Sequence, residues 1–448
     1  MPPNITFAAA GDAIITRRLS TREADDLSAL VERVRAADVS VVNLEVLLHD
    51  YEGYPAADSG GTYMRAPPWA ADELTWAGFD AFTAATNHAG DYSHGGMEAT
   101  MRALESRDVP YAGLGRTLAE AREPAYVDSP AGRVGLVAAC STVTAGDEAG
   151  VQRPDLQGRP GVSPLSLDAR YVVDEATHDR LTELSETLGL EAVKERAAEY
   201  GFPVPGEDDE GLTLLNAGRG DDLQFVVGDD PGVERSPSAS DRDAVLAQIR
   251  AADRQAEFVV ASLHAHEGEG AFRNDHSVPA WLEAFAHDCV DAGADAFVGH
   301  GPHVLRGLEL YAGAPIFYSL GDFVMENETV GRLPADIYER YDLDPLAARP
   351  ADLYDARVFD DDGDRAGFLA DRAFWESVVP VCAFGDDGVE RIECLPVELG
   401  YEQPRGRRGE PRLAGGEAAT RILEEFAALS APYGTELAVE GGVGVVRP

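Results

Sequence analysis

The sequence predicts an α/β fold in which polar side chains gather at the ends of several strands. Short apolar runs alternate with segments whose apolar residues recur at helical spacing, which is typical of layered strands and helices. Six of the apolar runs end at Asp, Asn, Glu or His residues. Because an open α/β sheet collects its ligands at the carboxyl ends of its strands, we expect these residues to meet at one rim.

The predicted strands and the histidines concentrate in the same places. Six of the ten histidines lie in or beside these strand ends: His88, His94, His264, His266, His300 and His303. One such histidine would be unremarkable, but six of them at strand ends indicate a site. The runs and their polar residues are 5–10 before Gly11-Asp12, 39–42 before Asn43-Leu44-Glu45, 81–86 before Asn87-His88, 258–263 before His264-Ala265-His266-Glu267, 296–299 before His300-Gly301-Pro302-His303, and 315–320 before Gly321-Asp322.

The remaining elements follow from the same patterns. Helical spacing predicts helices over 27–37, 69–77, 95–106, 241–255, 278–292 and 417–429, and a helical stretch over 192–200. Further strands are predicted over 133–139, 308–311, 374–382 and 389–395, and a hairpin over 212–215 and 223–227. We therefore predict one main domain over 1–400, with an inserted loop and helical segment at about 141–240 and an irregular acidic segment at about 327–372. Residues 401–448 are predicted to form a helix and tail that pack on this domain.

The charge balance is strongly acidic. Asp and Glu number 80 against 37 Lys and Arg, a formal net charge of −43, and Lys194 is the sole lysine. Such a surface repels nucleic acid and anionic lipid, so neither is an expected partner. The spread of acidic residues along the chain favours adaptation to high salt, where charge repulsion is screened. The alternative is an ordinary acidic protein, and a thermal midpoint unchanged between molar salt and dilute buffer would support that alternative.

The spacing of the cysteines and the length of the apolar runs bear on the cellular location of the protein. Its four cysteines lie far apart without CxxC spacing, which argues against a zinc knuckle or a disulfide framework. The amino terminus lacks the pattern of a signal peptide, and no run approaches the roughly 18 apolar residues of a membrane span. We expect a soluble, cytoplasmic protein, although a leader removed before this sequence begins remains an alternative. The sequence leaves its oligomeric state open.

The spacing of the histidines suits metal ligation. His264 and His266 are two apart, so in an extended segment both project to the same side, and Glu267 could orient either imidazole. Asn87 and His88 offer an amide oxygen and an imidazole at adjacent positions. The alternative for His88 is a helix cap or a hydrogen-bonded buried histidine.

Taken in their order along the chain, the strand-end motifs resemble those of the CapA family, the poly-γ-glutamate capsule biosynthesis proteins. Together with the acidic composition, they suggest a member of haloarchaeal type. The resemblance covers roughly residues 5–140 and 240–330. The motifs that carry it are Gly11-Asp12, Asn43-Leu44-Glu45, Asn87-His88 with Asp91, Ser262-Leu263-His264, Gly299-His300-Gly301-Pro302-His303 and Tyr318-Ser319-Leu320-Gly321-Asp322-Phe323.

The resemblance implies a calcineurin-like four-layer α/β/β/α sandwich that holds two divalent metal ions, Mn, Fe or Zn. Its implied metal ligands are Asp12, Glu45, Asn87, His264, His300 and His303, with Glu45 bridging the metals. His88 would act as the general acid, with Asp91 beside it. Two positions depart from the family pattern: Asp322 replaces a usual Asn, and Ala265-His266 replaces a frequent Trp-Gly.

Substrate contacts are predicted at the departures and near the first strand end. His266, Glu267 and Asp322 are candidate substrate-binding residues because they add polar groups at the rim. Arg17 and Arg18 follow the Asp12 loop, and either could bind a carboxylate or phosphate in a bidentate fork. The equally weighted alternative is that both arginines form surface ion pairs.

These features favour a dinuclear metal-dependent hydrolase. The resemblance to CapA implies a glutamate polymer or a γ-glutamyl amide as the substrate. A metallophosphoesterase acting on a small phosphoester is the first alternative, since the same metal chemistry serves both bonds. A non-catalytic component of capsule polymer synthesis or export is the second, because enzyme-like folds sometimes bind without turnover.

Overall fold

The computed structural model describes residues 4–202, 211–214, 223–360, 362–386 and 388–448. Its α-helices are α1 Asp25–Arg35, α2 Ala70–Ala77, α3 Ser93–Glu105, α4 Leu118–Arg122, α5 Glu175–Leu188, α6 Leu190–Glu199, α7 Ala239–Asp253, α8 Ala280–Asp291, α9 Ala335–Arg340, α10 Pro350–Val358 and α11 Gly416–Ser430. Its strands are β1 Ile5–Ile14, β2 Val39–Leu44, β3 Leu47–Leu48, β4 Arg65–Ala66, β5 Ala81–Thr83, β6 Tyr111–Ala112, β7 Leu114–Gly115, β8 Ala125–Ser129, β9 Gly132–Cys140, β10 Gly161–Val162, β11 Leu167–Val173, β12 Leu212–Leu214, β13 Leu223–Val227, β14 Gly232–Pro237, β15 Phe258–His264, β16 Ala296–His300, β17 Leu305–Tyr311, β18 Ala314–Leu320, β19 Asp322–Met325, β20 Glu376–Gly385, β21 Gly388–Glu398, β22 Arg412–Leu413, β23 Ala438–Glu440 and β24 Val443–Val446.

Two large mixed sheets form the centre of the fold. The first runs β23-β24-β21-β20-β1-β2-β5-β6, with β19 paired to β1 and β22 paired to β21. The second runs β17-β18-β16-β15-β9-β8. Their central strands pair in parallel, β1 with β2 and β15 with β16 and β9. These strands are buried on both faces, which explains their nearly continuous apolar sequence.

The sheets face each other across a shared apolar core. Phe7 of β1 contacts Phe258 of β15 with ring centroids 5.5 Å apart, and Phe258 also contacts Phe384 of β20. Helix α11 adds Ile422 and Phe426 to this same core. Burial of these aromatic and branched side chains is the main force that holds the two sheets together.

Helices cover the outer faces of both sheets. Leu27, Leu30 and Val34 of α1 pack with the outer face of the first sheet, and Leu74 of α2 joins them. The buried residues of α7 and α8 cover the second sheet in the same way, including Ile249 of α7. The order of layers is helix, sheet, sheet, helix, so the predicted calcineurin-like α/β fold is confirmed.

The inserted region contains more regular structure than the sequence indicated. Strand β11 pairs with β13 and β14, and β13 pairs antiparallel with β12, which gives a four-stranded sheet. The predicted hairpin is present as β12 and β13, although residue 215 lies outside the described residues. The helical stretch predicted over 192–200 is the second of two consecutive helices, α5 and α6.

The acidic segment at about 327–372 is not wholly irregular. It contains α9 and α10, whose buried residues include Tyr338 and Leu353. These two side chains pack in a small core with Tyr63 and Tyr92 beside the predicted rim. Neither helix was predicted from the sequence, because their apolar residues are few and are surrounded by Asp and Arg.

Candidate metal centre

Strand register brings the predicted ligands of the two sheets to one place. Asp12 near the end of β1 pairs with Asn43 on one side and Asp322 on the other. His264, the last residue of β15, is in register with His300, the last residue of β16. The carboxyl ends of both sheets therefore supply side chains to a single rim, as the sequence predicted.

Glycines allow the chain segments of this rim to approach closely. A Cβ atom on Gly11 would lie 1.7 Å from the carbonyl oxygen of Gly321, so only glycine fits between β1 and the end of β18. Gly301 has a positive φ of 115°, and its backbone N–H donates to Asp12 Oδ2 at 2.8 Å. His303 in the same turn has a φ of 61°, an uncommon conformation for a residue with a side chain.

Asp12, His264 and His300 form one group, which we call the Asp12 cluster. Their candidate ligand atoms all lie within 4.8 Å of one another. His264 Nδ1 lies 2.9 Å from His300 Nδ1, and both nitrogens lie about 3.5 Å from Asp12 Oδ1. Asp12 Oδ1 also accepts a hydrogen bond from the Asn43 amide at 2.6 Å. The Asp12 carboxylate is thus satisfied by protein donors on both oxygens.

The two imidazoles of the Asp12 cluster are kept neutral by burial, and a hydroxyl group holds one of them in place. Burial lowers the pKa of His264, and it lowers the pKa of His300 to about 3. His300 Nε2 lies 2.8 Å from the Ser262 hydroxyl, while the Thr83 hydroxyl donates to the Asn43 amide oxygen at 2.7 Å. Neutral imidazole is the form that ligates metals, and the partner of its second nitrogen fixes the orientation of the ring.

Glu45, His266, His303 and Asp322 form a second group, which we call the Glu45 cluster. Glu45, His266 and His303 present ligand atoms within 4.8 Å of one another, as do Asp12, Glu45, His303 and Asp322. His303 Nδ1 lies 2.9 Å from Asp322 Oδ1 and 3.8 Å from Glu45 Oε2. Asp12 belongs to both groups, so the clusters are contiguous.

Three carboxylate oxygens of the Glu45 cluster have no hydrogen-bond donor among the described residues. Both carboxylate oxygens of fully buried Glu45, and Oδ2 of Asp322, have no hydrogen-bond partner among the described residues. Burial and the nearby Asp12 raise the pKa of Glu45 well above its usual value. Burial also raises the pKa of Asp322 to about 7, although His303 opposes this shift. Burial disfavours the charge on His303, yet Asp322 and Glu45 raise its pKa to about 10.

These residues fit a divalent metal centre. Unpaired buried carboxylate oxygens are costly unless a cation neutralises them. Imidazole and carboxylate together suit Mn, Fe and Zn. Asn87 Oδ1 lies beside these clusters, 2.9 Å from His264 Nε2. All six metal ligands implied by the family resemblance therefore lie together, and His266 and Asp322 add two further side chains that can ligate a metal.

His88 forms a hydrogen-bonded pair with Asp91 beside the clusters. Its Nδ1 lies 2.7 Å from Asp91 Oδ2, which also accepts from the Met64 backbone N–H at 2.6 Å. Burial raises the pKa of Asp91, an effect that His88 opposes. Nε2 is then the His88 nitrogen that can serve a leaving group. The sequence placed both residues near one turn, and the structure shows that they are paired.

A cavity of about 290 Å³ opens beside this pair. Two arginines that sequence reasoning missed, Arg273 and Arg357, are among its walls. No spacing or motif marks either residue, because each comes from an irregular or acidic segment. The lining residues are Ile14, Gly60, Gly61, Thr62, Met64, Asn87, His88, His266, Arg273, Asn274, His303, Met325, Asn327, Arg357 and Phe368.

The other predicted substrate-binding residues lie outside this lining. Arg17 pairs with Glu326 at 2.9 Å, and Arg18 pairs with Glu73 at 2.7 Å, so the ion-pair alternative describes both arginines. Glu267 accepts hydrogen bonds from the Ser141 and Thr142 hydroxyl groups, each at 2.7 Å. Its neighbour His266 is oriented instead by Asn274, whose Oδ1 lies 2.6 Å from His266 Nδ1.

Comparison with known proteins agrees with this geometry. The family of the bacterial capsule synthesis protein PGA_cap matches residues 6–327, which include every candidate ligand. The chain belongs to this family. Its family assignment from the strand-end motifs is thus confirmed, while the haloarchaeal type stays a prediction.

Relatives of this family member differ in how much of the chain they share. The protein y4sH of Sinorhizobium fredii is 34% identical over 451 residues, which cover 99% of this chain and 93% of that protein. The capsule biosynthesis protein CapA of Bacillus anthracis is 24% identical over 281 residues, 63% of this chain and 48% of CapA. A probable polyglutamine synthesis accessory protein of Mycobacterium tuberculosis is 38% identical over 106 residues, 23% of this chain and 27% of that protein.

Within the described residues, none of the helices combines the length and the apolar character that a transmembrane span requires.

Proposed function

We propose that this protein is a dinuclear metal-dependent hydrolase that cleaves γ-glutamyl amide bonds in a glutamate polymer. One observation carries the reaction type: the Asp12 and Glu45 clusters share Asp12, and the His88–Asp91 pair lies beside them. The names of the relatives, a capsule biosynthesis protein and a polyglutamine synthesis accessory protein, support the class of substrate.

The residues of the site divide the work of hydrolysis. Asp12, His264 and His300 would hold one ion, and Glu45, His266, His303 and Asn87 a second, since Asn87 Oδ1 and His266 Nε2 both lie beside His264 Nε2. Bound metals would supply Lewis-acid activation of water and of the scissile carbonyl group. The buried position of the clusters limits competing solvent and strengthens electrostatic interactions.

His88 is proposed to protonate the leaving amine. Asp91 fixes the ring of His88 through Nδ1, which leaves Nε2 to face a leaving group. His88 also lines the cavity that would receive the substrate. Asp322 holds His303 in place, so its departure from the family Asn changes the charge of the Glu45 cluster.

A small phosphoester is the second candidate substrate. Arginine binds phosphate as well as carboxylate in a bidentate manner, and Arg273 and Arg357 both line the cavity. The activity screen must therefore include both kinds of bond.

The test is a metal assay followed by an activity screen. Protein reconstituted with Mn, Fe or Zn is expected to bind about two ions per chain and to hydrolyse γ-glutamyl peptides. His88→Ala should lower turnover by about 10²- to 10⁴-fold, the usual contribution of a general acid. His94→Ala is the matched control, since this exposed histidine lies nearby without lining the cavity.

The other outcomes separate the candidates. Hydrolysis of bis-p-nitrophenyl phosphate or nucleotides, but not of γ-glutamyl peptides, would favour the phosphoesterase. Metal binding without turnover of any substrate would favour a binding role in polymer synthesis or export. Equal rates for the wild type and His88→Ala would remove His88 from the chemistry.

A further inference from the structure

The cavity beside the metal clusters has walls of two kinds. Arg273 and Arg357 give it positive charge, and both share the cavity with His88. An apolar part of the wall consists of Ile14, Met64, Met325 and Phe368. A ligand that fits such walls carries anionic groups separated by a short apolar chain.

Neither cavity arginine is paired with a carboxylate among the described residues, in contrast to most arginines there. Acidic residues outnumber basic ones by 80 to 37, and most arginines of the described residues form ion pairs. Examples are Arg408 with Glu328 at 2.6 Å and Arg116 with Glu105 at 2.7 Å. Among the described residues, no carboxylate lies within ion-pair distance of Arg273 or Arg357. Acidic ligands are therefore the groups that these two side chains remain able to pair with.

The backbone that carries Arg273 is fixed by several contacts. The segment from Glu267 to Asp275 forms a closed loop, in which the Asn274 N–H donates to the His266 carbonyl at 3.0 Å. Fully buried Arg306 donates to the carbonyls of both Glu267 and Asp275, at 2.8 and 3.0 Å. This loop ties Arg273 to His266 of the Glu45 cluster. An arginine on an ordered loop binds its partner with a smaller loss of entropy.

Arg357 is held on a different wall of the cavity. It lies on α10, its guanidinium stands over the rings of Tyr341 and Phe368, and Nη1 donates to the Thr62 hydroxyl. Stacking on aromatic rings orients the planar guanidinium and leaves its other N–H groups for a bidentate contact. The two arginines thus approach the cavity from separate, ordered segments.

We propose that Arg273 and Arg357 form a two-point carboxylate clamp that selects a γ-linked glutamate chain. Each arginine binds the α-carboxylate of a different glutamyl residue, and the intervening methylene groups lie along the apolar wall. The clamp thereby aligns the linking amide with the Asp12 and Glu45 clusters. This inference rests on the proposed function for the identity of the scissile bond, but the binding it describes requires no turnover.

The test measures binding of a γ-linked glutamate trimer by isothermal titration calorimetry. The metal-loaded protein carries His88→Ala, so that the trimer is not consumed. Adding Arg273→Gln or Arg357→Gln should weaken trimer binding by about tenfold to a hundredfold each, as expected for lost hydrogen bonds to a charged group. Arg250→Gln is the control, because it removes one exposed positive charge away from the cavity and should leave the affinity unchanged.

Matched ligands test which chemical group is recognised. A trimer with its α-carboxylates converted to amides should bind the parent protein weakly, and the two arginine variants should not weaken it further. Arginine-to-lysine variants, which keep the charge, should recover part of the affinity. Equal affinity of the trimer for the parent and both Gln variants, with folding verified by circular dichroism, would overturn the clamp. Tighter binding of tripolyphosphate than of the trimer would overturn the carboxylate assignment.

Turnover measurements distinguish failure of the clamp from failure of the proposed function. With His88 restored, the Gln variants should raise KM for γ-glutamyl peptides more than they lower kcat. Trimer binding that depends on both arginines, without any hydrolysis, would sustain the clamp and reject the hydrolase. Hydrolysis with unchanged KM in both variants would sustain the hydrolase and reject the clamp.

Discussion

The two halves of the candidate metal centre differ in how completely protein hydrogen bonds satisfy their carboxylates. In the Asp12 cluster, Asn43 and the Gly301 N–H donate to the carboxylate, and Ser262 contacts His300. In the Glu45 cluster, both Glu45 oxygens lack a hydrogen-bond partner among the described residues, and the nearest imidazole nitrogens, of His264 and His303, lie 3.5 and 3.8 Å away. The first half is arranged by protein hydrogen bonds, whereas the second half leaves its Glu45 carboxylate open to a cation.

From this difference we expect the Glu45 cluster to respond more strongly to metal than the Asp12 cluster. A buried carboxylate without donors carries a desolvation penalty that only a positive charge or a proton relieves. The Asp12 cluster keeps its donors in either state, so its geometry depends less on an ion. We therefore expect metal binding to change the charge state mainly in the Glu45 cluster.

The largest expected effect comes from a residue that touches both halves. His264 Nδ1 lies 2.9 Å from His300 Nδ1, and its Nε2 lies 3.1 Å from His266 Nε2. His264→Ala should therefore reduce metal content and lower kcat/KM at least about a thousandfold, because the first ion site loses a ligand and His266 of the second loses the ring it packs against. Metal analysis and steady-state kinetics would measure this. His287→Ala is the control, since His287 pairs with Glu309 away from the rim, and similar losses in both variants would contradict the prediction.

The next effect compares metal-linked stability in the wild type and Glu45→Gln. Metal at a thousand times its dissociation constant should stabilise the wild type by about 4 kcal/mol. Glu45→Gln should gain less from metal, because the amide supplies no charge to the cation. In the metal-free state at pH 8 this variant should be more stable than the wild type by about 1–3 kcal/mol, since it buries no ionisable carboxyl. Thermal unfolding with and without chelator would test both parts. Equal stabilisation of the wild type and Glu45→Gln by metal would contradict the first part.

A smaller effect tests burial of a carboxylate away from the rim. Burial raises the pKa of Asp295 to about 6, although the Val259 N–H donates to it at 2.7 Å. A raised folded-state pKa contributes stability that is complete below about pH 4 and is lost as the pH rises through 6. Asp295→Asn cannot ionise, so its stability relative to the wild type should rise by about 2 kcal/mol between pH 4 and pH 8. Denaturant unfolding at several pH values would measure this, and the shift should be unaffected by metal.

The last prediction compares the histidine pKa values of the two clusters within one variant, Asp322→Asn. In the metal-free state, Asp322→Asn should lower the pKa of His303 from about 10 toward its ordinary value, because the charged partner is lost. The pKa of His300, about 3, should not change, since burial sets it and its charged neighbour is Asp12. Nitrogen-15 NMR of labelled histidines would follow both rings. A large shift at His300 would contradict this prediction and show that the two clusters titrate together through Asp12, which they share.

Much of the metal rim was predictable because strand ends are marked in the sequence. A buried parallel strand is a run of apolar residues, and the polar residue that ends it lies at the sheet edge. Asp12, Glu45, His264, His300 and His303 were found in this way, and the structure brings them together. Asn43 belonged to a recognised motif, yet its role as a donor to Asp12 required the strand register.

The cavity walls were far less predictable. Arg17 and Arg18 looked suitable for substrate because they follow the Asp12 loop, but each lies beside a glutamate distant in sequence. Arg273 and Arg357, which no sequence motif marks, line the cavity instead. An arginine has no local pattern that separates an ion pair from a binding site, since the distinction depends on which carboxylates fold nearby.

Local apolar periodicity was therefore enough to predict alternating strands and helices, and the motifs at the strand ends were enough to identify the family. The four layers and the set of metal ligands were predicted through the resemblance to that family. Only the tertiary structure decided which ligand has donors and which has none, since hydrogen bonds such as those from Asn43 and Gly301 to Asp12 join segments far apart in the chain. It also decided which arginines remain without a carboxylate. Both outcomes are set by long-range packing, which no local pattern encodes.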